Sequence, residues 1–275
     1  MSHFTDKLVV RSRAVKRLLM WHYCSKKLPL YLVPEFPKSG GTWFSQMLAE
    51  CLEVPFPRNT SRPRFEKSVL SGHHLYSPQF HNVVVVIRDG RDALVSMYYH
   101  LLFSNEINKN FAVEGYRKDL GFTDYDDIHS NLPAFIEYVF TVYSKKRFHF
   151  SWADFIDSWL VHDVPVVRYE DLLTQPVEEL RRVSHILSGN EVSEEHVASI
   201  VDKYSFSKIS GRKQGEADKR SFVRKGIAGD WKNQFSVEAC EVFDQFAGNQ
   251  LIQAGYESNR DWIHNSNRTA QIAQS

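Results

Sequence analysis

Lys38, Ser39, Gly40, Gly41 and Thr42 follow one another with the chemistry needed to hold a phosphate. Adjacent glycines let backbone N–H groups turn toward an anion, the two hydroxyls add hydrogen-bond donors, and the lysine adds a positive charge. The apolar run Leu30–Val33 precedes them and reads as a short buried strand, while Trp43–Leu52 follows and reads as a helix. A glycine loop between strand and helix suits an anion, because the first helical turn has unpaired N–H groups and the positive end of the dipole. The phosphate loop of nucleotide kinases places its lysine after the glycines, directly before Ser or Thr. Here the lysine comes first. The plainer alternative is a strand–turn–helix whose turn is merely polar.

A second charged group follows another apolar run. Val83–Ile87 is entirely β-branched, the composition of a strand buried on both faces in a parallel sheet. Arg88 stands at its C-terminal end, Asp89 or Gly90 can start a helix over Arg91–Phe103, and Ser96 lies about two turns into it. Ligands of open parallel sheets gather beyond the carboxyl ends of the strands. The glycine loop and Arg88 are therefore expected on one rim, with a plain salt bridge from Arg88 to Asp92 as the alternative. His73 and His74 follow a short strand ending near Gly72 and are candidate proton acceptors. The bland alternative for either is a surface or core imidazole. Lys203–Gly229 carries Arg212, Lys213, Lys219, Arg220, Arg224 and Lys225 among Gly211, Gly215, Gly226 and Gly229. Such a run is a solvated loop or a lid that folds over an anion.

The elements that must position these residues are bounded by composition. The 275-residue chain is 43% hydrophobic, which suits one large α/β domain or two small ones. A net charge of +1 provides no field to gather nucleic acid, so any anion site is a local cluster. Cys24, Cys51 and Cys240 have neither metal nor disulfide-framework spacing. No apolar run approaches the roughly 20 residues of a membrane span, and no signal-peptide core is visible. The expectation is a cytoplasmic protein without a metal. Residues 1–29 are basic, with Leu8, Val15, Leu18, Leu19 and His22 near helical spacing. They read as a helix packed on the body, with a membrane-surface helix as the alternative. Prolines keep Pro55–Pro63 irregular. Residues 104–150 lack periodicity and read as a loop-like insertion bearing Phe111, Tyr116, Phe122 and Tyr125, an aromatic cap over an acceptor pocket. Helices are expected over 151–160 behind Ser151, over 174–187 with Pro176 in the first turn, over 193–204 behind Ser193, and from about Ser236. A strand is expected over 164–171. The segment beyond Gly255 reads as a frayed polar tail, and no internal repeat or domain-scale linker is present.

Together these segments resemble the soluble sulfotransferases that use 3′-phosphoadenosine 5′-phosphosulfate (PAPS). Pro37–Trp43 looks like the family's 5′-phosphosulfate loop, and Arg88–Ser96 resembles its 3′-phosphate motif, including the Arg–Ser spacing. Val167–Leu172 is similar to the next strand exit and Arg224–Asn233 to the C-terminal lid. The resemblance spans residues 30–255. It implies a single α/β domain with a central, mainly parallel sheet flanked by helices and a P-loop-like phosphosulfate-binding loop. The basic segment 1–29 precedes that domain, an insertion of about 104–150 and a lid of about 205–233 interrupt it, and a polar tail, 256–275, follows.

The implied roles follow residue by residue. Lys38, Ser39, Gly40, Gly41 and Thr42 hold the 5′-phosphate, and Lys38 stabilises charge on the leaving oxygen. Trp43, Tyr169 and Phe206 meet the adenine. Arg88 and Ser96 hold the 3′-phosphate, with Arg224, Lys225 and Gly226 closing over it. The segment carrying Phe206 departs from the family at Tyr204 and Ile209. The family's base is a histidine preceded by Lys-Thr. Here Leu70-Ser71-Gly72 stands before two histidines, of which His73 is preferred over His74. The implied reaction is in-line transfer of a sulfuryl group from PAPS to a hydroxyl or amine of a small-molecule acceptor, leaving 3′-phosphoadenosine 5′-phosphate (PAP), without metal or nucleic acid. Lys232–Glu241 resembles the segment through which such enzymes pair, with Ser236 replacing a threonine, and implies a weak homodimer. Two other classes compete: a P-loop small-molecule kinase, for which the lysine is misplaced, and an idle nucleotide-binding module, if neither histidine reaches the sulfate.

Overall fold

Strand β1 (Leu30–Pro34) pairs in parallel with β2 (Ser68–Gly72), Leu30 facing Ser68 and Pro34 facing Gly72. β3 (Val85–Ile87) pairs in parallel with β4 (Val166–Arg168), Val85 facing Val166. Isolated parallel bridges, Leu32 to Val83 and Glu35 to Val86, set β3 beside β1 and give the order β2-β1-β3-β4. β1, β2 and β3 are buried along their whole length, as the apolar runs of β1 and β3 predict. Parallel neighbours need a crossover, and the Gly41–Cys51 helix supplies it between β1 and β2. The structure, a computed structural model, describes residues 2–57, 66–108 and 110–264, and of residues 2–11 and 14 the backbone alone. Most of Pro55–Pro63 and the end of the tail lie outside the described residues.

The chain divides into two compact units, each discontinuous in sequence: Met1–Ile87 with His162–Lys208, and Arg88–Val161 with Ile209–Ser275. The first holds the strands. Tyr31, Val33, Val84 and Val86 pack there with Phe44, Met47 and Leu48, and with Leu180, Val183, Val197 and Ile200 from two further helices, Pro176–Ser188 and Glu194–Lys203. Burying one such Val, Leu or Phe contributes about 1.5–3 kcal/mol relative to exposure. The Ser2–Cys24 helix buries Met20 and Trp21 and leaves Val15, Leu19 and Tyr23 exposed.

The second unit is helical: Gly90–Leu102, Asn110–Leu120, Ile128–Tyr138, Trp152–Leu160 and Val237–Gln253 are its main helices. Their core holds Tyr98, Phe135, Trp152, Phe155, Trp159 and Phe243. A Cβ on Gly90 would lie 2.6 Å from the Trp152 ring, so the helix bearing Asp92 and Ser96 starts against indole at a distance only glycine allows.

Three expectations change. Residues 104–150 are largely helical rather than loop-like. Pro133 sits inside Ile128–Tyr138, and a π-helical turn, Val139–Tyr143, follows, so the 3.6-residue period is broken where the sequence would display it. Several of the aromatics pack inward: Tyr116 meets Tyr143 at 5.7 Å, and Arg117 lies 4.3 Å over the Tyr125 ring, while Phe111 is exposed. The strand expected over 164–171 ends at Arg168, and Tyr169 opens a short helix, Tyr169–Thr174. The tail is docked as far as it is described: Glu257 pairs with Arg91 at 2.6 Å, and Trp262 is buried against Trp231 and Phe243. Among the described residues no helix is long and apolar enough to cross a membrane.

Candidate functional site

In the first unit β1 delivers the chain to Glu35 and then to a loop whose Lys38 and Gly40 have φ of +71° and +88°. Gly40 is the N-cap of Gly41–Cys51, and its carbonyl accepts the Phe44 N–H at 3.0 Å. No side chain fits at either glycine. A Cβ on Gly40 would lie 2.6 Å from Cδ2 of Tyr169, and one on Gly41 would lie 2.6 and 2.8 Å from the Glu35 carboxylate oxygens. Ser39 is fully buried, and its hydroxyl has no hydrogen-bond partner. Leaving a buried polar group unmade costs about 1–3 kcal/mol, and an incoming phosphate oxygen would remove that cost. Thr42 and Trp43 sit half-buried in the first helical turn. The cradle thus fits an anion in its backbone, its hydroxyl and its lysine.

Glu35 is a functional candidate that the sequence reading passed over. The Gly41 N–H donates to its Oε2 at 2.6 Å. Burial pushes this carboxyl up to about 7, although the Gly41 N–H and the Lys38 charge pull the other way. The available signal was an acid at the exit of a wholly apolar parallel strand.

The two histidines part company. His73 Nδ1 lies 3.0 Å from the Glu35 carbonyl oxygen. A carbonyl can only accept, so Nδ1 carries a proton, and whenever the ring is neutral the lone pair is on Nε2. His74 packs edge-on against Trp21 at 4.6 Å and beside Phe80 at 6.3 Å. Burial, with the charges of His73 and His22, pushes its imidazole down to about 4. Further aromatic residues gather at the Gly40 side. Trp43 Nε1 donates to the Tyr204 carbonyl at 2.8 Å, and the Trp43 and Tyr169 rings meet edge-on at 6.1 Å. Tyr204, flagged in the sequence only as a departure, also bonds Glu50 through its hydroxyl. Phe206 opens a short helix, Phe206–Ser210, two residues later.

In the second unit Asp89 caps the Gly90–Leu102 helix by accepting the Arg91 N–H at 2.9 Å. Arg88 is 8% exposed; its Nη2 donates to the Ile227 carbonyl at 3.1 Å, and its own carbonyl accepts from Trp152 Nε1. Asp92 does more than neutralise Arg88. Its Oδ2 accepts the Gly229 N–H at 2.6 Å and its Oδ1 the Trp231 N–H at 2.9 Å. Burial raises its carboxyl, and the Arg88 charge opposes that rise. Arg224 bonds Asp230 at 2.5 Å and lies 4.8 Å over the Tyr99 ring, while Lys225 bonds the same carboxylate at 2.6 Å. Burial pushes Asp230 up, but the two cations outweigh it and the carboxyl sits below its ordinary range. Gly226 has φ +66° and accepts from Gln214 Nε2 at 2.7 Å. Arg212 donates to the carbonyls of Glu216, Val223 and Arg224 and folds the 211–229 segment onto itself.

Arg88, Arg224, Lys225 and Gly226 are therefore brought together through Ile227, Gly229 and two carboxylates, Asp92 and Asp230. Ser96 sits half-buried in its helix. Sequence reasoning assigned no role to Asp230, whose partners Arg224 and Lys225 lie six and five residues back in a segment without periodicity, and only a charge-pairing role to Asp92, whose backbone N–H partners lie more than 130 residues along the chain. No cluster of metal-ligand type is present among the described residues.

Comparison with known proteins bears on both units. The sulfotransferase domain family matches residues 58–255, a span that contains Arg88 and the 211–229 segment and starts after the glycine loop. Mouse sulfotransferase 1B1 is 25% identical, the match covering 78% of this chain and 79% of the relative. Dog sulfotransferase 1A1 is 28% identical, covering 78% and 80%. Among solved structures, mouse sulfotransferase SULT7A1 complexed with PAP superposes with a TM-score of 0.56 at 20% identity, covering 85% of this chain and 88% of that one. That likeness confirms an α/β fold with parallel strands flanked by helices.

Proposed function

The chain belongs to the sulfotransferase domain family and is a PAPS-dependent sulfotransferase; from that premise we propose that it sulfates a hydroxyl or amine of a small-molecule acceptor with His73 as the base. The observation that carries the choice of base is the His73 Nδ1 contact with the Glu35 carbonyl. It leaves Nε2 as the acceptor of a proton, on a histidine tied to the residue that opens the phosphate loop. His74, packed beside Trp21 and Phe80, is assigned the structural role of the pair.

The co-substrate supplies a sulfuryl group already activated as a phosphosulfate anhydride. What remains for the protein is positioning and electrostatics, as in other in-line transfers where charge spreads over peripheral oxygens. His73 takes the acceptor proton as the new bond forms. Lys38 offsets the charge that grows on the leaving oxygen. Ser39 and Thr42 hydroxyls, with the N–H groups at Gly41 and Thr42, hold the 5′-phosphate. Trp43, Tyr169 and Phe206 are assigned to the adenine. Arg88, Ser96, Arg224, Lys225 and Gly226 are assigned to the 3′-phosphate, which would share the two lid cations with Asp230. The acceptor is assigned to the 104–150 region.

The test is transfer of labelled sulfate from PAPS to pooled phenols, alcohols, amines and sugars. Labelled product in any pool supports the reading. PAP binding with no product in any pool would leave an idle nucleotide-binding module instead.

A further inference from the structure

We infer that the Glu35 carboxylate is a built-in anion seated in the phosphate cradle of the free protein, and that nucleotide binding must add a proton to it. The inference rests on the reading of Lys38–Thr42 as the 5′-phosphate loop. Its basis is placement. The Gly41 N–H, at the start of an 11-residue helix, already has a carboxylate oxygen 2.6 Å away. Both oxygens lie against the Gly41 backbone so closely that no Cβ could be added there. A helix N-terminus favours one negative charge. A second anion brought to the same N–H meets an ionised carboxylate in a buried site, and two like charges so placed do not both stay ionised.

Glu35 has little to neutralise it from its own unit. The loop contributes Lys38, and the stretch after β2 contributes His73, held to the Glu35 backbone rather than to its carboxylate. β3 contributes the apolar Val86, and the Tyr169–Thr174 helix contributes the Tyr169 ring against Gly40. Burial already pushes the free carboxyl up to about 7, so little is needed to protonate it near neutrality. The proton balance is simple: one proton passes from solvent to a Glu35 carboxyl oxygen. The resulting O–H can donate to a phosphate oxygen, and the Gly41 N–H is released to the phosphate.

PAP is the probe, because its binding can be measured without turnover. Above pH 7 the wild-type affinity should fall by about tenfold per pH unit, the slope of one linked proton. Glu35→Gln keeps the size and an oxygen for the Gly41 N–H but cannot ionise. It should lose that slope and bind PAP tens-fold more tightly than wild type near pH 9. Calorimetry at pH 8 in buffers of different ionisation enthalpy should count close to one proton taken up per PAP by wild type and close to none by Glu35→Gln. Titration of PAP itself or of His73 would appear in both proteins and cancels in the comparison. PAP binding by wild type without proton uptake overturns this inference alone, even if the variant does not fold. An equal pH slope in both proteins overturns it too. Failure of the folded wild type to bind PAP at any pH overturns the reading of the loop, and this inference with it.

Discussion

Replacing Asp92 with alanine should release the 211–229 segment from the helix that anchors it. Asp92 is 1% exposed and accepts two backbone N–H groups, Gly229 at 2.6 Å and Trp231 at 2.9 Å. Alanine supplies no acceptor, and the site is too buried for water to replace both oxygens freely. Each orphaned N–H costs about 1–3 kcal/mol, so the loss should be about 2–6 kcal/mol. That is a large share of the roughly 5–15 kcal/mol that holds a typical domain folded. Asp92→Asn keeps one acceptor oxygen and turns its amide toward the other N–H, so about half the loss is expected. Urea unfolding gives the energy, and limited trypsin digestion reports the segment, because Arg212, Lys213, Lys219, Arg220, Arg224 and Lys225 all become candidate cuts. If Asp92→Ala unfolds within about 0.5 kcal/mol of wild type and resists trypsin equally, the anchoring argument is wrong.

Other substitutions test the assigned roles. Arg88→Ala should weaken PAP binding by on the order of 2 kcal/mol, because a charged hydrogen-bonded contact is lost, yet hardly change binding of a nucleotide without the 3′-phosphate; calorimetry that finds equal losses for both nucleotides contradicts the role. His73→Ala should lower turnover by roughly a hundredfold or more with PAP affinity near wild type. A severe His74→Ala beside an active His73→Ala in the same assay would reverse the assignment. Val237→Glu should convert a weak dimer to monomer with PAP binding intact, since Lys232 and Glu241 are exposed on either side of the half-buried Val237. Sedimentation that finds wild type monomeric at every concentration and at low salt would end that idea.

Local signals carried much of the fold. Ser151, Ser193 and Ser236 each read as a helix cap, and each accepts the N–H three residues on. The β-branched run before Arg88 announced a parallel strand buried on both faces. What stayed hidden depends on partners that no local pattern specifies. Pro133 and the π-helical turn blur the helices of 104–150. Glu257 is fixed by Arg91, 166 residues away in sequence. Asp92 looked like a plain partner for Arg88, because a carboxylate that binds distant backbone N–H groups leaves no spacing to read. His73 and His74 are equivalent as letters. What separates them is a contact from outside the pair: the Glu35 carbonyl at the His73 ring, the Trp21 and Phe80 rings beside His74.

Lys38 carries its charge on a backbone with φ +71°. That left-handed conformation costs a residue with a Cβ about 1–2 kcal/mol, whereas glycine adopts it freely. Judged by folding alone, glycine is therefore the better residue at this position, and lysine is tolerated against that preference. With Lys38 assigned to the leaving oxygen as proposed, the loop is a place where improving the scaffold and preserving the chemistry pull in opposite directions. Any effort to make the enzyme hardier by relieving its left-handed residues has to pass this one by.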